Sequence, residues 1–126
     1  MMTTLKPATL RVVPEVIRAY AELTEDYNPL HLDPEFAART PMGGVIAHGT
    51  MSISLLWQAL QRTYGPQAFD SLDLDVRFLK PVRLNETLTA GGQPNAENPE
   101  VLDVWVRGDD GVDRVAGTVR RRAAAG

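Results

Sequence analysis

The sequence predicts an α+β domain in which an antiparallel sheet wraps one long buried helix. Three observations carry this expectation. The N-terminal part alternates helical patterns with proline breaks. "TMSISLLWQALQRTYG", residues 50–65, is apolar around most of a helical circumference, as a buried helix is. From residue 71 onward the chain becomes a run of β-type segments parted by turn-rich stretches.

The elements follow in order. "ATLRVV", residues 8–13, suits a short strand. Pro14 fits a first helical position, and "PEVIRAYAELTED" sets Val16, Ile17, Tyr20 and Leu23 along one helical face. Asn28-Pro29 ends that helix, because proline drives the residue before it out of helical angles. A second short helix begins at Asp33, a good N-cap, with Pro34 in its first turn and "PEFAART" behind it. "PMGGVIAHG", residues 41–49, is glycine-punctuated and leads into the long helix, which Gly65-Pro66 stops.

"SLDLDVRFL" alternates Leu72, Leu74, Val76 and Phe78 against Asp73, Asp75 and Arg77, the period of a strand. "ETLTAGGQ", "EVLDVWVRG" and "DRVAGTVRRR" continue as strands separated by "PNAENP" and "GDDG", which predicts an antiparallel meander. "VRRRAAAG" reads as a strand running into a frayed tail. Neither a repeat nor a linker interrupts the pattern, so one domain over residues 1–126 is expected.

Composition narrows the function. With 44% hydrophobic and 23% charged residues the chain is that of a globular protein. A net charge of −3 argues against nucleic acid as partner. There is no cysteine, which removes disulfides, thiolate chemistry and thiolate metal sites. The N-terminus lacks a signal-peptide core, and no run approaches the ~20 apolar residues of a membrane helix. A cytoplasmic protein without membrane association is therefore expected.

Two histidines, His31 and His48, are the only imidazoles. "DYNPLHLDP", residues 26–34, sets Asp26 and His31 on either side of an Asn28-Pro29 turn. An acid–base pair needs a group that titrates near neutrality and a second held within reach of the same water, and histidine with aspartate supplies both. The alternative is a turn-capping Asp26 and a satisfied loop histidine, and spacing alone leaves both open. In "IAHGTM", Gly49 stands at the start of the long helix, whose first amides have no internal partner and can stabilise a developing oxyanion. A tight turn, with His48 capping or packing, is the competing reading. Arg77, Lys80 and Arg83 in "RFLKPVRLNETL" could meet ligand phosphates or form an exposed basic edge, and Asn85 is placed for a positive φ. The histidines match no recognisable metal-ligand spacing. Ser52 and Ser54 lie outside any nucleophile-elbow context.

These three features occur in an order that resembles the MaoC-like dehydratase family, and within it the (R)-specific enoyl-CoA hydratases of a single hot-dog domain. Residues 26–33, Asp-Tyr-Asn-Pro-Leu-His-Leu-Asp, match the family motif D-x-N-P-x-H-x-D. Gly43 to Gly49 match the block G-G-x-I-A-H-G, and "RFLKPV" followed by "NETL" matches the third block. The likeness covers about residues 10 to 120.

The resemblance implies a hot-dog fold, usually paired into a homodimer or higher homo-oligomer with an acyl thioester bound between subunits. By the same analogy Asp26 and His31 form the catalytic dyad, the Gly49 amide meets the thioester carbonyl, and Asn28 fixes the substrate-binding loop. The implied reaction is reversible syn addition of water to a trans-2-enoyl thioester, giving the (R)-3-hydroxyacyl thioester. No metal or redox cofactor is implied; coenzyme A or an acyl-carrier arm belongs to the substrate. A hot-dog thioesterase, or an acyl-thioester-binding subunit of a heteromeric dehydratase, are the alternatives. Asn85-Glu86 replaces the family's glycine and aspartate before "TL", and Trp57 stands where some hydratases have a serine, so a reshaped acyl pocket is expected.

Overall fold

A computed structural model describes residues 1–123; the last residues of the expected tail, 124–126, lie outside the described part. Five strands and five helices follow in the order β1 (Ala8–Arg11), α1 (Pro14–Thr24), α2 (Pro29–Leu32), α3 (Pro34–Ala38), α4 (Gly49–Tyr64), α5 (Ala68–Ser71), β2 (Leu72–Phe78), β3 (Thr87–Pro94), β4 (Leu102–Arg107) and β5 (Asp113–Arg121). The strands form one antiparallel sheet in the order β1-β3-β4-β5-β2, and α4 packs against β1, β3 and β4. This is the hot-dog arrangement.

The sheet corrects the expected meander. Only β3, β4 and β5 run as one; β2 lies beyond β5 at the far edge, and Leu79 to Glu86 carry the chain back across to β3. β3 is held between β1 and β4, so the other flank of β5 is the one left for β2. Gly117 permits that pairing. A Cβ there would sit 2.0 Å from the Asp75 carbonyl oxygen, well inside van der Waals contact.

The long helix is less enclosed than its composition suggests. Met51, Ser52, Leu55, Leu56, Ala59 and Leu60 are buried, yet Ser54, Gln58, Gln61 and Arg62 are exposed. Those four polar positions recur at helical spacing and make a solvent stripe, which outweighs the count of apolar residues around the circumference. α1 likewise buries Ile17 and Ala21, with Val16 and Tyr20 half-buried, while Leu23 is 81% exposed.

Local chemistry explains the segment between α1 and α4. Glu25 closes α1 in the left-handed conformation (φ 55°). Asn28 then caps α2 by accepting from the Leu30 amide at 3.0 Å. Asp33 caps α3, accepting from Glu35 and Phe36 amides at 3.1 and 3.2 Å, as expected of it. Successive caps and prolines therefore fold the motif-bearing stretch into two short helical turns.

One charged residue is deeply buried. Arg114 is 2% exposed and donates to Glu86, to Asp110 at 3.1 Å and to the Val112 carbonyl at 2.7 Å. The hydrogen bond to Glu86 is the main reason that its guanidinium holds its proton even more firmly than an ordinary arginine. The other Glu86 oxygen accepts from the Arg83 amide at 2.6 Å, and Asn85 takes a positive φ of 67°. Glu86 thus ties the crossover after β2 to Arg114 on β5, and through it to Asp110 in the β4–β5 turn. No helix among the described residues is long and apolar enough to cross a membrane.

Candidate active site

The site forms where the α1–α3 segment meets the N-terminus of α4. His31, on α2, places Nδ1 2.7 Å from the Ile46 carbonyl oxygen. A carbonyl only accepts, so Nδ1 carries the hydrogen and the Nε2 lone pair of the neutral ring is left free to take up a proton. The Asp26 carboxylate lies close by: one nitrogen or oxygen from each of Asp26, His31 and His48 falls within 4.8 Å of the others. A water making two hydrogen bonds of ~2.8 Å at a near-tetrahedral angle bridges atoms about 4.5–5 Å apart, so Asp26 and His31 stand about one water from each other.

A cavity of about 320 Å³ opens beside them, lined by His31, Ile46, His48, Gly49, Ser52 and Phe78 among others. Gly49 is the first residue of α4, where the amide has no partner inside the helix and the dipole favours negative charge. Its missing side chain matters: a Cβ would come within 3.2 Å of the Phe78 ring, which packs over that turn. Phe78 sits at the end of edge strand β2 and is 57% exposed, as is Leu79.

The structure brings Asp26, His31 and Gly49 into one neighbourhood, with His31 and Gly49 on the cavity wall. Asn28 is not on that wall; its side chain is engaged in capping α2. Trp57, expected to narrow the acyl pocket, packs against Phe69 (4.9 Å between rings, 49°) and also lies outside the cavity lining. Of the basic trio, Lys80 reaches the rim, 3.8 Å from an Asp110 oxygen, whereas Arg77 and Arg83 do not line it.

Sequence reasoning missed two residues here. Ser52 is buried and faces the cavity; it stood out only as a polar residue in an apolar helical pattern. His48 is buried and stacks on His31 with ring centroids 4.0 Å apart and planes at 29°. It occupies the N-cap position of α4 yet makes no capping bond, so of the two expected alternatives, capping or packing, it packs.

Asp26, His31 and His48 are also the one candidate metal-ligand group among the described residues. Stacked imidazoles direct their in-plane lone pairs side by side rather than to a common point, which does not favour one shared ion.

Comparison with known proteins bears on the family and the fold. A family model described as "MaoC like domain" matches residues 2–99. Over 74 residues the chain is 38% identical to the (R)-specific enoyl-CoA hydratase of Aeromonas caviae, covering 59% of this chain and 55% of that protein. Over 68 residues it is 43% identical to a 3-hydroxybutyryl-CoA dehydratase of Methylorubrum extorquens, covering 53% of this chain and 43% of that one. The matches thus span about half the length of these relatives. Among solved structures, the (R)-hydratase from A. caviae involved in PHA biosynthesis superposes with a TM-score of 0.73 at 29% identity, covering 94% of this chain and 96% of that one. R-hydratase PhaJ1 from Pseudomonas aeruginosa shares the fold, with a TM-score of 0.76 at 23% identity over 100% of this chain and 89% of that one. Motif order, sheet topology and these matches agree: the chain belongs to the MaoC-like domain family.

Proposed function

We propose that this chain is an (R)-specific enoyl-thioester hydratase, adding water reversibly to a trans-2-enoyl-CoA or the corresponding acyl-carrier thioester. The observation that carries the reading is the Asp26–His31 pair within one water of each other, beside the cavity that the first turn of α4 enters. The naming of the relatives as hydratases and dehydratases supports it.

In the proposed reaction Asp26 and His31 hold the water between them. One dyad member takes a proton from the water as its oxygen bonds to C3. The C2–C3 π electrons move toward the thioester carbonyl, and the proton taken from the water is passed through the dyad to C2 of the resulting enolate, on the same face. The Gly49 amide stabilises the enolate oxygen; a single donor of this kind is typically worth ~10²–10³ in rate. His31 exchanges protons through Nε2, since Nδ1 is committed to Ile46. Base and acid are successive roles of the dyad. The reaction balances without metal or redox cofactor, and the proposed setting is the cytoplasm.

A second copy of the chain completes the site in this reading. The outer edge of β2 is unpaired within the chain, and Phe78 and Leu79 at its end are exposed beside the cavity. Continuation of the sheet across β2 would bury them and enclose the thioester. Light scattering on the purified protein is expected to give at least twice the chain mass of 13.8 kDa; a monomer that is fully active would refute this part.

The activity itself is tested with crotonyl-CoA. Loss of the enoyl-thioester absorbance without release of free thiol is the expected result. Thiol release would favour a thioesterase, and no turnover by the isolated chain would favour a binding subunit.

A further inference from the structure

We infer that His48 is a positioning residue of the dyad, holding Asp26 through a hydrogen bond and His31 through ring stacking; the inference deepens the hydratase reading and rests on it. His48 is 3% exposed, and its Nε2 lies 3.0 Å from the backbone carbonyl oxygen of Asp26. The carbonyl can only accept, so Nε2–H is the donor and Nδ1 of the neutral ring carries the lone pair. That Nδ1 is buried, with no hydrogen-bond partner among the described residues. An apolar side chain of similar volume would fill the space without leaving a buried acceptor unpaired. What it would not supply is a donor to Asp26.

The place of that bond gives it meaning. Asp26 follows the left-handed Glu25 at the end of α1, and its side chain stands at the exposed end of a loop. His48 secures the peptide of Asp26 to the residue immediately before Gly49. The opposite catalytic partner is held by the same ring, because His31 stacks on it at 4.0 Å. Tyr20 packs against His48 from α1, 5.1 Å between rings, and its hydroxyl donates to Thr50 Oγ1 at 2.6 Å, steadying that ring from α4's first turn. One side chain therefore sets the distance between Asp26, His31 and the helix amide, and a misplacement of ~1 Å among reacting groups costs ~10²-fold in rate.

Three variants separate the hydrogen bond from mere filling of space. His48→Gln places an amide N–H near the Nε2 position and removes the ring. His48→Phe keeps a ring and removes the donor. His48→Asn carries its amide short of the Asp26 carbonyl and tests loss of the donor without added bulk, should the Phe variant not fold. With crotonyl-CoA, kcat is expected to fall ~10²-fold in H48F, which keeps the stack and loses the donor, ~10-fold in H48Q, which keeps the donor and loses the stack, and at least as far as H48F in H48N, which loses both, with KM changed little. The ¹³C′ resonance of Asp26 is expected to shift in H48F and H48N but not in H48Q. Equal losses in all three variants, wild-type kcat in H48N, or an Asp26 resonance indifferent to the donor would overturn the inference. A wild-type protein that leaves crotonyl-CoA unchanged would instead sink the hydratase reading, and the resonance would still decide whether His48 holds Asp26.

Discussion

Replacing Asp26 with Asn, or His31 with Ala, is expected to lower kcat for enoyl-thioester hydration by at least ~10²-fold, the smallest contribution usual for a positioned proton-transfer group. Each substitution deletes one end of a one-water bridge: Asp26→Asn keeps the shape and removes the charge and the titration, and His31→Ala removes the ring that carries Nε2. Asp26 is exposed and His31 only half-buried, so neither change opens a core cavity. Loss of the His31–Ile46 hydrogen bond is expected to cost about 1 kcal/mol. Activity and stability should therefore separate: circular dichroism near wild type, a melting temperature unchanged in D26N and roughly 4 °C lower in H31A, and turnover collapsed in both. Because the two groups act on one water, the double variant should be little worse than either single one. Full activity in both single variants would remove the dyad from the mechanism.

The largest effect on stability is expected at Glu86, which does not line the cavity. Glu86→Ala leaves the Arg114 guanidinium buried, with Asp110 and the Val112 carbonyl as its remaining partners. Removing one partner of a buried ion pair commonly costs 3–5 kcal/mol; Asp110 remains and is partly exposed, so we expect about 2–3 kcal/mol. For a chain of this length that is a fall in Tm of roughly 10 °C, measured at fixed protein concentration because dimerisation would shift Tm as well. Acid should act in the same direction. The hydrogen bond from Arg114 is the main cause holding the Asp110 carboxyl below the usual carboxylate range. Its contribution is complete above that range and is lost as pH falls through the lowered value. An unchanged Tm in E86A would show that Arg114 finds equivalent partners elsewhere.

Much of this was legible in the sequence, and the parts that were not share a cause. Period-two alternation over residues 71–79 placed β2, and Gly65-Pro66 placed the end of α4, because both signals are local. Asp33 and Asn85 took the cap and positive φ that their side chains favour. The neighbour of β2 was hidden, since strand order depends on which sheet edge is free once β1 has paired with β3. α2 and α5 were missed because a four-residue turn shows no periodicity. Glu86 looked like an ordinary turn residue until Arg114, from the distant β5, came to rest on it. The site divides the same way. Asp26 and His31 are tied by a contiguous motif, whereas His48 joins them only through the stack on His31 and the carbonyl of Asp26. Leu23 and Trp57 were apolar letters whose surroundings the pattern could not supply.

The most direct test is the configuration of the product formed by the purified wild-type chain from crotonyl-CoA. Addition of water on one face by Asp26 and His31, with the carbonyl held at the Gly49 amide, predicts a single enantiomer, and the proposed (R)-specific reading makes it (R)-3-hydroxybutyryl-CoA. An (S) or racemic product, or hydrolysis to the free thiol, would contradict it.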